Sequence, residues 1–426
     1  MGTRTFQRLR NVKQLALVPL VFPGADYSRF SHSIGVCHVT GLLLEQLQKS
    51  KPISQDEWWL YRVAGLLHDV GHYPYSHPTE LAIQNHYVRD LTPYFMHEAI
   101  SATLMTADPE LVSVLRRFGI DPKAVAAVIQ HESPSPLANL VTSDLDADRI
   151  DYLLRTAHHT GLPYGSVDIT YLVAHMKTDK QGRVCLDPRA LRTADHFLLC
   201  RYFDYQQVTY HKTVVALENV LQDVVSAVLS EGILDCSRAA IEAKIAEGKW
   251  HAFDDAVLVG AMRKAHDTTP DAVVKLKTQS VLNRIPPILV AQREYIGKNN
   301  KATRRDFFDK VKLVKTVPAR LAERFGIDPR LCWVWGKPRT LTKVGATVPL
   351  EDAEEGIEGS QEVVRVHKSA TNESEPIMTV DRSLMHLLSE HATYSVRLYV
   401  LAPGLDQARR NEIRAFVREI APINWD

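Results

Sequence analysis

Apolar residues recur at helical spacing through most of the first 240 residues. Ser54-Gln-Asp-Glu57 is a capping-box pattern, in which a serine and a glutamate three residues apart satisfy the first backbone amides of a helix. Asp108-Pro109 and Asp121-Pro122 each place a good N-cap before a proline suited to a first helical turn. From Pro188 the chain runs to Leu229 without an internal proline or glycine. These patterns predict a mainly α protein with a large helical N-terminal domain. Apolar positions at helical spacing follow Glu57: Trp59, Val63, Leu66 and Val70.

The second half of the chain changes character. Ser395–Leu401 has the pattern of a strand, and Leu405–Ile420 has that of an amphipathic helix. Between 341 and 376 the residues are polar and acidic, which predicts an exposed connection. We therefore expect a smaller α+β C-terminal region. The predicted divisions are a helical domain over 1–240, a helical extension with a basic segment over 241–340, a connection over 341–376 and the α+β region over 377–426.

Overall charge and cysteine content limit the classes of partner and the cellular compartment that the sequence predicts. The 426 residues carry 51 Lys and Arg against 50 Asp and Glu, so a net charge of +1 gives no hint of a nucleic-acid partner. The five scattered cysteines fit reduced thiols in a cytoplasmic protein. The longest apolar run, Leu15–Phe22, is short and contains Pro19, so we expect no membrane span. The basic segment over 293–315 carries a local excess of five positive charges, which keeps nucleic-acid binding open as a modest second prospect.

Histidine is abundant, and several of the 18 histidines accompany acids. The pair His68-Asp69 lies near the predicted end of the helix that starts at about Glu57, and His72 projects onto nearly the same helical face. His32 and Asp148 come from distant sequence. Such a mixed nitrogen and oxygen set suits Mn, Fe, Co, Ni or Zn in an open site, whereas a closed structural zinc site normally uses cysteine.

The aspartates at 144, 146 and 148 imitate an EF-hand loop only superficially. The sixth position of that loop is Arg149 rather than glycine, and the twelfth is Arg155 rather than glutamate, which excludes calcium binding of this type. A solvated helix start is the simpler interpretation of Asp144 and Asp146. Tyr205 and Tyr210 lie on a long helical stretch and are expected to be core aromatic residues.

An ordered pattern of His, His-Asp and Asp resembles the HD-domain metallophosphohydrolases, and the surrounding residues resemble the deoxynucleoside triphosphate (dNTP) triphosphohydrolase branch. The resemblance covers about half of the chain. The matching stretches are Phe6-Gln-Arg-Leu-Arg10, Lys13-Gln-Leu15, Val21-Phe-Pro-Gly-Ala25, Arg29-Phe-Ser-His32-Ser-Ile-Gly35, Leu67-His-Asp-Val-Gly-His-Tyr-Pro-Tyr-Ser-His77, His97-Glu98, Asp146-Ala-Asp148-Arg-Ile-Asp-Tyr152, His158-His159-Thr-Gly161 and Arg201 with His211-Lys212.

The resemblance implies a role for each matching residue. The metal ligands would be His32, His68, Asp69 and Asp148. The residues around the scissile α-phosphate would be His72, His77 and His97, with Glu80 orienting a histidine. The substrate contacts would be Gln14 and Leu15 at the sugar, and Arg29, Arg149, Tyr152 and Arg201 at the triphosphate. The candidate effector contacts are Gln7, Arg10 and Lys212.

The resemblance also implies a divalent transition metal with additional Mg on the triphosphate, and a homo-oligomer (dimer, tetramer or hexamer) that builds effector sites between subunits. Two positions depart from the family pattern. Gly2 stands where the animal relative often has an aspartate that reads an effector, so we expect weak or absent activation by dGTP. Thr156 stands where many relatives have an aspartate at the sugar 3′-hydroxyl; it is expected either to contact that hydroxyl weakly or to point into helix packing.

The sequence thus favours an enzyme that converts a dNTP to a deoxynucleoside and inorganic triphosphate. The alternatives are an HD phosphohydrolase acting on nucleoside monophosphates, cyclic nucleotides or single-stranded nucleic acid, and a nucleotide-sensing or nucleic-acid-binding protein that uses the basic segment. Arg29, Arg149, Arg201 and Lys212 favour a triphosphate, because several cations are needed to bind its negative charge.

Overall fold

The computed structural model describes residues 1–87, 93–141, 143–341 and 363–426. The predicted mainly α class is confirmed. The α-helices, in chain order, are α1 (Arg4–Gln7), α2 (Arg29–Gln48), α3 (Gln55–Leu67), α4 (His77–His86), α5 (His97–Ala107), α6 (Pro109–Arg117), α7 (Pro122–Ile129), α8 (Ala147–Thr160), α9 (Ile169–Ala174), α10 (Leu191–Asp204), α11 (Lys212–Ser230), α12 (Arg238–Ala246), α13 (Asp255–Thr268), α14 (Ala272–Leu282), α15 (Lys301–Val314), α16 (Val317–Phe325), α17 (Leu384–Ser389) and α18 (Gln407–Ile420).

The predicted helix starts carry the expected caps. Ser54 Oγ accepts a hydrogen bond from the Glu57 amide at 3.2 Å, and the Glu57 carboxylate accepts one from the Ser54 amide at 3.0 Å. Asp108 and Asp121 cap α6 and α7. The long stretch after Pro188 forms α10 and α11, separated by a π-helical turn. Shorter helical turns lie at Arg8–Asn11, Val18–Leu20, Pro93–Phe95, Pro136–Leu140, Pro163–Gly165, Pro188–Ala190, Tyr205–Thr209 (the π turn), Trp250–Ala252, Pro329–Leu331 and Ile377–Thr379.

The long apolar helix α11 lies against α4, α13 and α14 in the helical core. Its length and hydropathy alone would allow it to cross a membrane, but 56% of the qualifying window is buried inside the protein. Its apolar side chains, including Leu217 and Leu221, are fully buried. The packing therefore accounts for its composition.

Two sheets complete the fold. The first has the order β1-β2-β5-β6, in which β2 and β5 run parallel and the other pairs antiparallel. The second is antiparallel with the order β3-β7-β4. The strands are β1 (Met176–Thr178), β2 (Val184–Leu186), β3 (Ile288–Lys298), β4 (Cys332–Thr340), β5 (Arg365–Lys368), β6 (Glu373–Pro376) and β7 (His391–Val400).

The predicted divisions after residue 240 need correction. The helical extension ends with α14, because β3 and β4 of the C-terminal sheet already lie within 241–340. The predicted connection over 341–376 falls partly on residues 342–362, which lie outside the described residues. Its remainder forms β5 and β6, which extend the β1–β2 hairpin, so 363–376 is not an exposed connection. The predicted C-terminal strand and helix correspond to β7 and α18.

The C-terminal sheet, made of β3, β7 and β4, has one apolar and one polar face. Its apolar face packs against α15, α16 and α18 around a separate core that includes Phe307, Val396 and Leu398. The opposite face meets the helical unit beside α11, where Tyr399 packs with Val215. The sheet therefore forms a wall against the helical unit.

The turn that follows α3 lies unusually close to the start of α5. Ser101 Oγ donates to the carbonyl oxygen of His68 at 2.6 Å and accepts from the amide of Gly71 at 2.9 Å. A Cβ atom at Gly71 would lie 2.3 Å from both the His97 carbonyl oxygen and the Ser101 amide nitrogen. Gly71 is therefore required for this close approach of two backbones, and not as the helix terminator that its position suggests.

We expect Gly71→Ala to lower the free energy of unfolding by about 1–3 kcal/mol, because the backbone of α5 must move to admit a methyl group. Urea denaturation followed by circular dichroism measures this change. Gly260→Ala is the matched control: in α13 no described heavy atom lies within 4 Å of the added Cβ. That substitution should stabilise the protein by about 0.4–1 kcal/mol. Equal effects of the two substitutions would contradict the close-approach argument.

Candidate metal centre and active site

Four side chains from three parts of the helical unit converge on one buried point. His32 lies on α2, His68 caps the end of α3 and Asp69 follows it, and Asp148 lies in the first turn of α8. His32 Nε2 lies 2.9 Å from Asp148 Oδ1 and 3.6 Å from Asp69 Oδ2. His68 Nε2 lies 3.3 Å from Asp69 Oδ1 and 3.7 Å from Asp148 Oδ1. The structure thus brings together the four residues that the resemblance assigns to a metal.

The donor set fits a divalent transition metal. Nδ1 of His32 lies 2.8 Å from Asp151 Oδ2, and Nδ1 of His68 lies 2.8 Å from the Gly65 carbonyl oxygen. Each Nδ1 therefore carries a proton, which leaves each Nε2 as the atom that would bind a metal at the common point. Both Nε2 atoms are buried and face the carboxylates of Asp69 and Asp148. Together with Asp148 they offer ligand atoms within 4.8 Å of one another, which is the pattern of a shared cation.

The electrostatics of this cluster favour positive charge at its centre. Burial opposes protonation of His32, but hydrogen bonds to Asp148 and Asp151 outweigh it and raise the pKa of His32 to about 10. Burial also opposes ionisation of Asp148 and Asp69. His32 and His68 nevertheless hold the pKa of Asp148 well below its usual range, and Arg29 and His68 do the same for the pKa of Asp69. The carboxylates therefore stay ionised and can bind a cation.

Two charged residues position the cluster. Arg29 is 3% exposed, and its guanidinium donates to Asp69 Oδ2 at 2.5 Å and to Ser76 Oγ at 2.9 Å. Asp151, to which the sequence assigned no role, holds His32 and also accepts two hydrogen bonds from Arg155. The spacing of Asp148 and Asp151 could have indicated this role, because residues three apart share a helix face.

A second cluster surrounds Glu80 beside the first. Glu80 Oε2 lies 3.4 Å from His77 Nδ1 and 3.1 Å from His97 Nδ1, while the rings of His72 and His97 stack with centroids 3.7 Å apart. Despite burial, the hydrogen bond to Glu80 raises the pKa of His97. Burial, Arg29 and His97 hold the pKa of His72 well below its usual value. Neighbouring imidazoles are thus driven toward opposite protonation states.

The backbone conformation that brings His72 to this cluster differs from the helix that periodicity predicted. The helix ends at Leu67, so His72 lies in irregular backbone, yet its Nε2 is 3.2 Å from Asp69 Oδ1. Buried Arg8 fixes this segment by donating to the carbonyl oxygens of Val70 at 3.3 Å and His72 at 2.6 Å. Arg8 had no predicted role, since a buried arginine bonded to carbonyl groups leaves no signature in the sequence.

Two arginines that line the same cavity as the metal cluster are held by one aspartate. Asp144 Oδ1 lies 3.0 Å from Arg201 Nη1 and 3.3 Å from Arg149 Nη1. Asp144 is 3% exposed, so it does not form the solvated helix start that its sequence context suggests. Buried Asp146 does cap α8, accepting from the Arg149 amide at 2.7 Å. The carboxylate of Asp144 thereby aligns two guanidinium groups toward one space.

Most of the side chains of these clusters border a cavity of about 600 Å³. His32 and Glu80 lie behind its wall. Tyr205 and Tyr210, expected in the core, also line the cavity. The predicted site residues that line it are Gln14, Leu15, Arg29, His68, Asp69, His72, His77, His97, Asp148, Arg149, Tyr152 and Arg201.

The candidate effector residues lie elsewhere. Arg10 Nε donates to Gln7 Oε1 at 2.7 Å, and the Arg10 guanidinium stacks over Phe30 at 3.6 Å from its ring centroid. Lys212 begins α11, and no hydrogen bond or ion pair among the described residues joins it to Gln7 or Arg10. An effector role for these residues stays a prediction.

Thr156 points into the protein and does not reach the cavity. It is 1% exposed, and its hydroxyl lies 2.8 Å from the hydroxyl of Tyr27. Of the two expectations for this residue, the structure supports helix packing, because Tyr27 satisfies the hydroxyl that a sugar would otherwise contact.

Comparison with known proteins agrees with this geometry. Residues 29–156, from α2 to α8, match the family model described as HD domain. The uncharacterized protein YwfO of Bacillus subtilis is 33% identical over 227 residues, covering 53% of this chain and 50% of that protein. A Dictyostelium discoideum protein named deoxynucleoside triphosphate triphosphohydrolase SAMHD1 homolog is 30% identical over 233 residues, covering 52% of this chain and 44% of that protein. This chain thus spans about half the length of such curated relatives.

A solved structure extends the likeness of fold to nearly the whole chain. The crystal structure of a phosphohydrolase from Bacteroides thetaiotaomicron aligns with a TM-score of 0.67 at 22% identity, covering 93% of each chain. The likeness therefore includes the C-terminal sheet as well as the helical unit. The resemblance drawn from the sequence motifs is confirmed by these matches.

Asp151→Asn tests the support of the metal centre. An amide accepts the His32 Nδ1 proton less strongly than a carboxylate, so we expect metal affinity to fall about 10–100-fold. Metal content measured after equilibration in a buffered concentration of free Mn²⁺ gives this change. Asp168→Asn is the matched control, because Asp168 is an exposed N-cap of α9 and asparagine caps equally well. Unchanged metal affinity in Asp151→Asn would refute the positioning role.

Proposed function

Since residues 29–156 of this chain match the HD-domain family model, we propose that the protein is a metal-dependent dNTP triphosphohydrolase. It would convert a dNTP and water to a deoxynucleoside and inorganic triphosphate. The observation that carries the proposal is the shared cavity: His68, Asp69 and Asp148 of the metal-fitting cluster line the same space as Arg149 and Arg201.

The cationic side of the cavity suits an oligophosphate. Guanidinium groups bind phosphate oxygens through paired, charge-assisted hydrogen bonds, and Asp144 holds two of them in place. A monophosphate placed at the metal cluster would have no further phosphate for these two guanidinium groups to bind. The pair therefore favours triphosphate over monophosphate substrates, which supports the proposed substrate class over the alternative HD reactions.

The metal centre would supply the activated water. His32, His68, Asp69 and Asp148 would hold Mn, Fe, Co, Ni or Zn, and such an ion would supply a more acidic water and neutralise phosphate charge. The remaining steps belong to the side chains around it.

Departure of the sugar oxygen requires a proton. Glu80 accepts from Nδ1 of His97 and raises its pKa, which favours the protonated imidazole, whose Nε2 proton would be available for donation. His77, 69% exposed and also held by Glu80, stands beside it at the cavity. His72 is held neutral by its surroundings and would accept rather than donate a hydrogen bond through its unprotonated nitrogen.

The sugar would lie at Gln14 and Leu15. Gln14 Oε1 is buried and has no hydrogen-bond partner among the described residues, although it borders the cavity. A buried acceptor of this kind is usually bonded. The 3′-hydroxyl of a deoxyribose would supply the missing donor.

Product analysis tests the proposal. Purified protein loaded with Mn²⁺ should convert dGTP to deoxyguanosine and inorganic triphosphate in equal amounts. Ion-exchange chromatography of the products measures both. The double variant His68→Ala/Asp69→Ala should lose bound metal and this activity while keeping its helical circular dichroism. Release of dGMP with pyrophosphate, or of dGDP with phosphate, would contradict cleavage at the proposed bond. Hydrolysis of monophosphates or single-stranded nucleic acid alone would favour the other HD reactions.

Gln14→Leu tests the sugar contact. A neutral hydrogen bond contributes about 0.5–1.5 kcal/mol, so the parent should prefer a dNTP over its 2′,3′-dideoxy analogue by about 2- to 13-fold in kcat/KM. In Gln14→Leu this preference should vanish, because the acceptor is gone. The dideoxynucleotide is the internal control, since it lacks the donor in both proteins. A preference that survives the substitution would place the sugar elsewhere.

A further inference from the structure

The C-terminal sheet contributes one wall of the catalytic cavity. Trp335 and Lys337 are alternate residues of β4, so they share the face turned toward the helical unit. Both line the cavity together with Tyr210 from the end of the π turn. The sequence offered no reason to join β4 to the active site, because it lies more than 180 residues beyond Asp148.

This wall is fixed by an arginine pair. The Arg339 guanidinium lies over the Tyr210 ring at 4.6 Å from its centroid, and Arg397 donates to the Tyr210 carbonyl oxygen at 2.6 Å. Arg397 also stacks over Trp335 at 5.0 Å. Glu294 lies within 3.5 Å of both guanidinium groups and balances part of their charge. The rings of Tyr210 and Trp335 are thereby held at 5.5 Å from each other.

Lys337 is the cation of this wall that lines the cavity and has no ion-pair partner in the described part of the chain. Its ammonium donates to the Tyr210 hydroxyl at 3.3 Å, and no carboxylate among the described residues lies within 4 Å of it. Burial lowers the pKa of Lys337, with a further contribution from Arg339 against an opposing one from Tyr205. A hydrogen-bond acceptor supplied by a ligand would stabilise the ammonium.

The position of Lys337 along the cavity identifies what it would meet. Leu15 and Val18 belong to the same apolar cluster as Val208 and Val214, which lie two residues before and four residues after Tyr210. The wall therefore adjoins the end of the cavity where Gln14 and Leu15 would hold the sugar. Arg201 lies more than two helical turns before Tyr210, at the triphosphate end. The group beyond the sugar, away from the phosphates, is the nucleobase.

We propose that Lys337 is a specificity-determining residue that reads the nucleobase and favours keto bases. An ammonium group has three donors and no acceptor. Guanine presents two acceptors on one edge, O6 and N7, and thymine presents O4, whereas adenine and cytosine place an amino donor at the corresponding position. Guanine should be favoured most and thymine next. This inference rests on the proposed function, since it requires a bound nucleotide.

Comparison of kcat/KM for the four dNTPs tests the inference. The parent should prefer dGTP over dATP by roughly 5- to 100-fold, the range expected for one good base contact. In Lys337→Met, which keeps the length of the side chain, that ratio should fall to within about twofold of unity. Lys337→Glu should reverse it, because a carboxylate accepts from amino groups. Lys312→Met is the matched control, since Lys312 is 77% exposed on α15 and should leave the ratio unchanged.

Equilibrium binding separates the base from the phosphates and this inference from the proposed function. Lys337→Met should weaken binding of deoxyguanosine but leave binding of inorganic triphosphate unchanged. Equal weakening of inorganic triphosphate would show that Lys337 binds phosphate and would overturn the inference, as would an unchanged dGTP:dATP ratio. If product analysis failed but binding of deoxyguanosine over deoxyadenosine still depended on Lys337, base reading would stand and the proposed reaction would fall.

Discussion

Burial of the His32 imidazole among three carboxylates is the constraint on which the helical unit depends. Asp69, Asp148 and Asp151 approach His32 from two directions, and ionised groups in such a place are tolerated only when each is paired. The helices that carry them must therefore meet closely. Glycine permits this at the crossing of α2 and α8, where a Cβ on Gly35 would lie 1.8 Å from Asp151 Oδ1. Close packing of α2 against α8 and the pairing of the charged groups at this crossing therefore depend on each other.

The sequence predicted the residues of this centre better than their geometry. His32, the His68-Asp69 pair and Asp148 could be found because they recur in an ordered motif. The sequence correctly predicted that His72 lies near the metal cluster, but for the wrong reason. Helical periodicity placed His72 on α3, whereas it lies in irregular backbone held by Arg8, which brings its side chain close to Asp69. Contacts between a side chain and distant carbonyl groups, such as those of Arg8, follow no local pattern, so tertiary structure alone reveals them.

In the later part of the chain, the sequence failed to predict two strands. Alternation predicted the last strand and the amphipathic helix after it, but β3 and β4 went unrecognised because a charged, aromatic face interrupts their apolar pattern. That face carries Arg339 and Arg397 against Trp335 and Tyr210, where cation–π contacts replace hydrophobic packing. A strand that is polar because it borders a cavity resembles a solvated segment when only its residue types are read.

The order of strands in the C-terminal sheet has a consequence for how the protein is made. The central strand β7 separates β3 from β4, so neither outer strand has a partner in this sheet until residues 391–400 exist. During synthesis the helical unit can fold before β7 exists. The edges of β3 and β4 are then unpaired and can pair with other strands or bind chaperones. The cavity therefore acquires its Trp335 wall only after residues 391–400 have been made. A chain truncated before β7 would carry an assembled metal centre and an unfinished pocket.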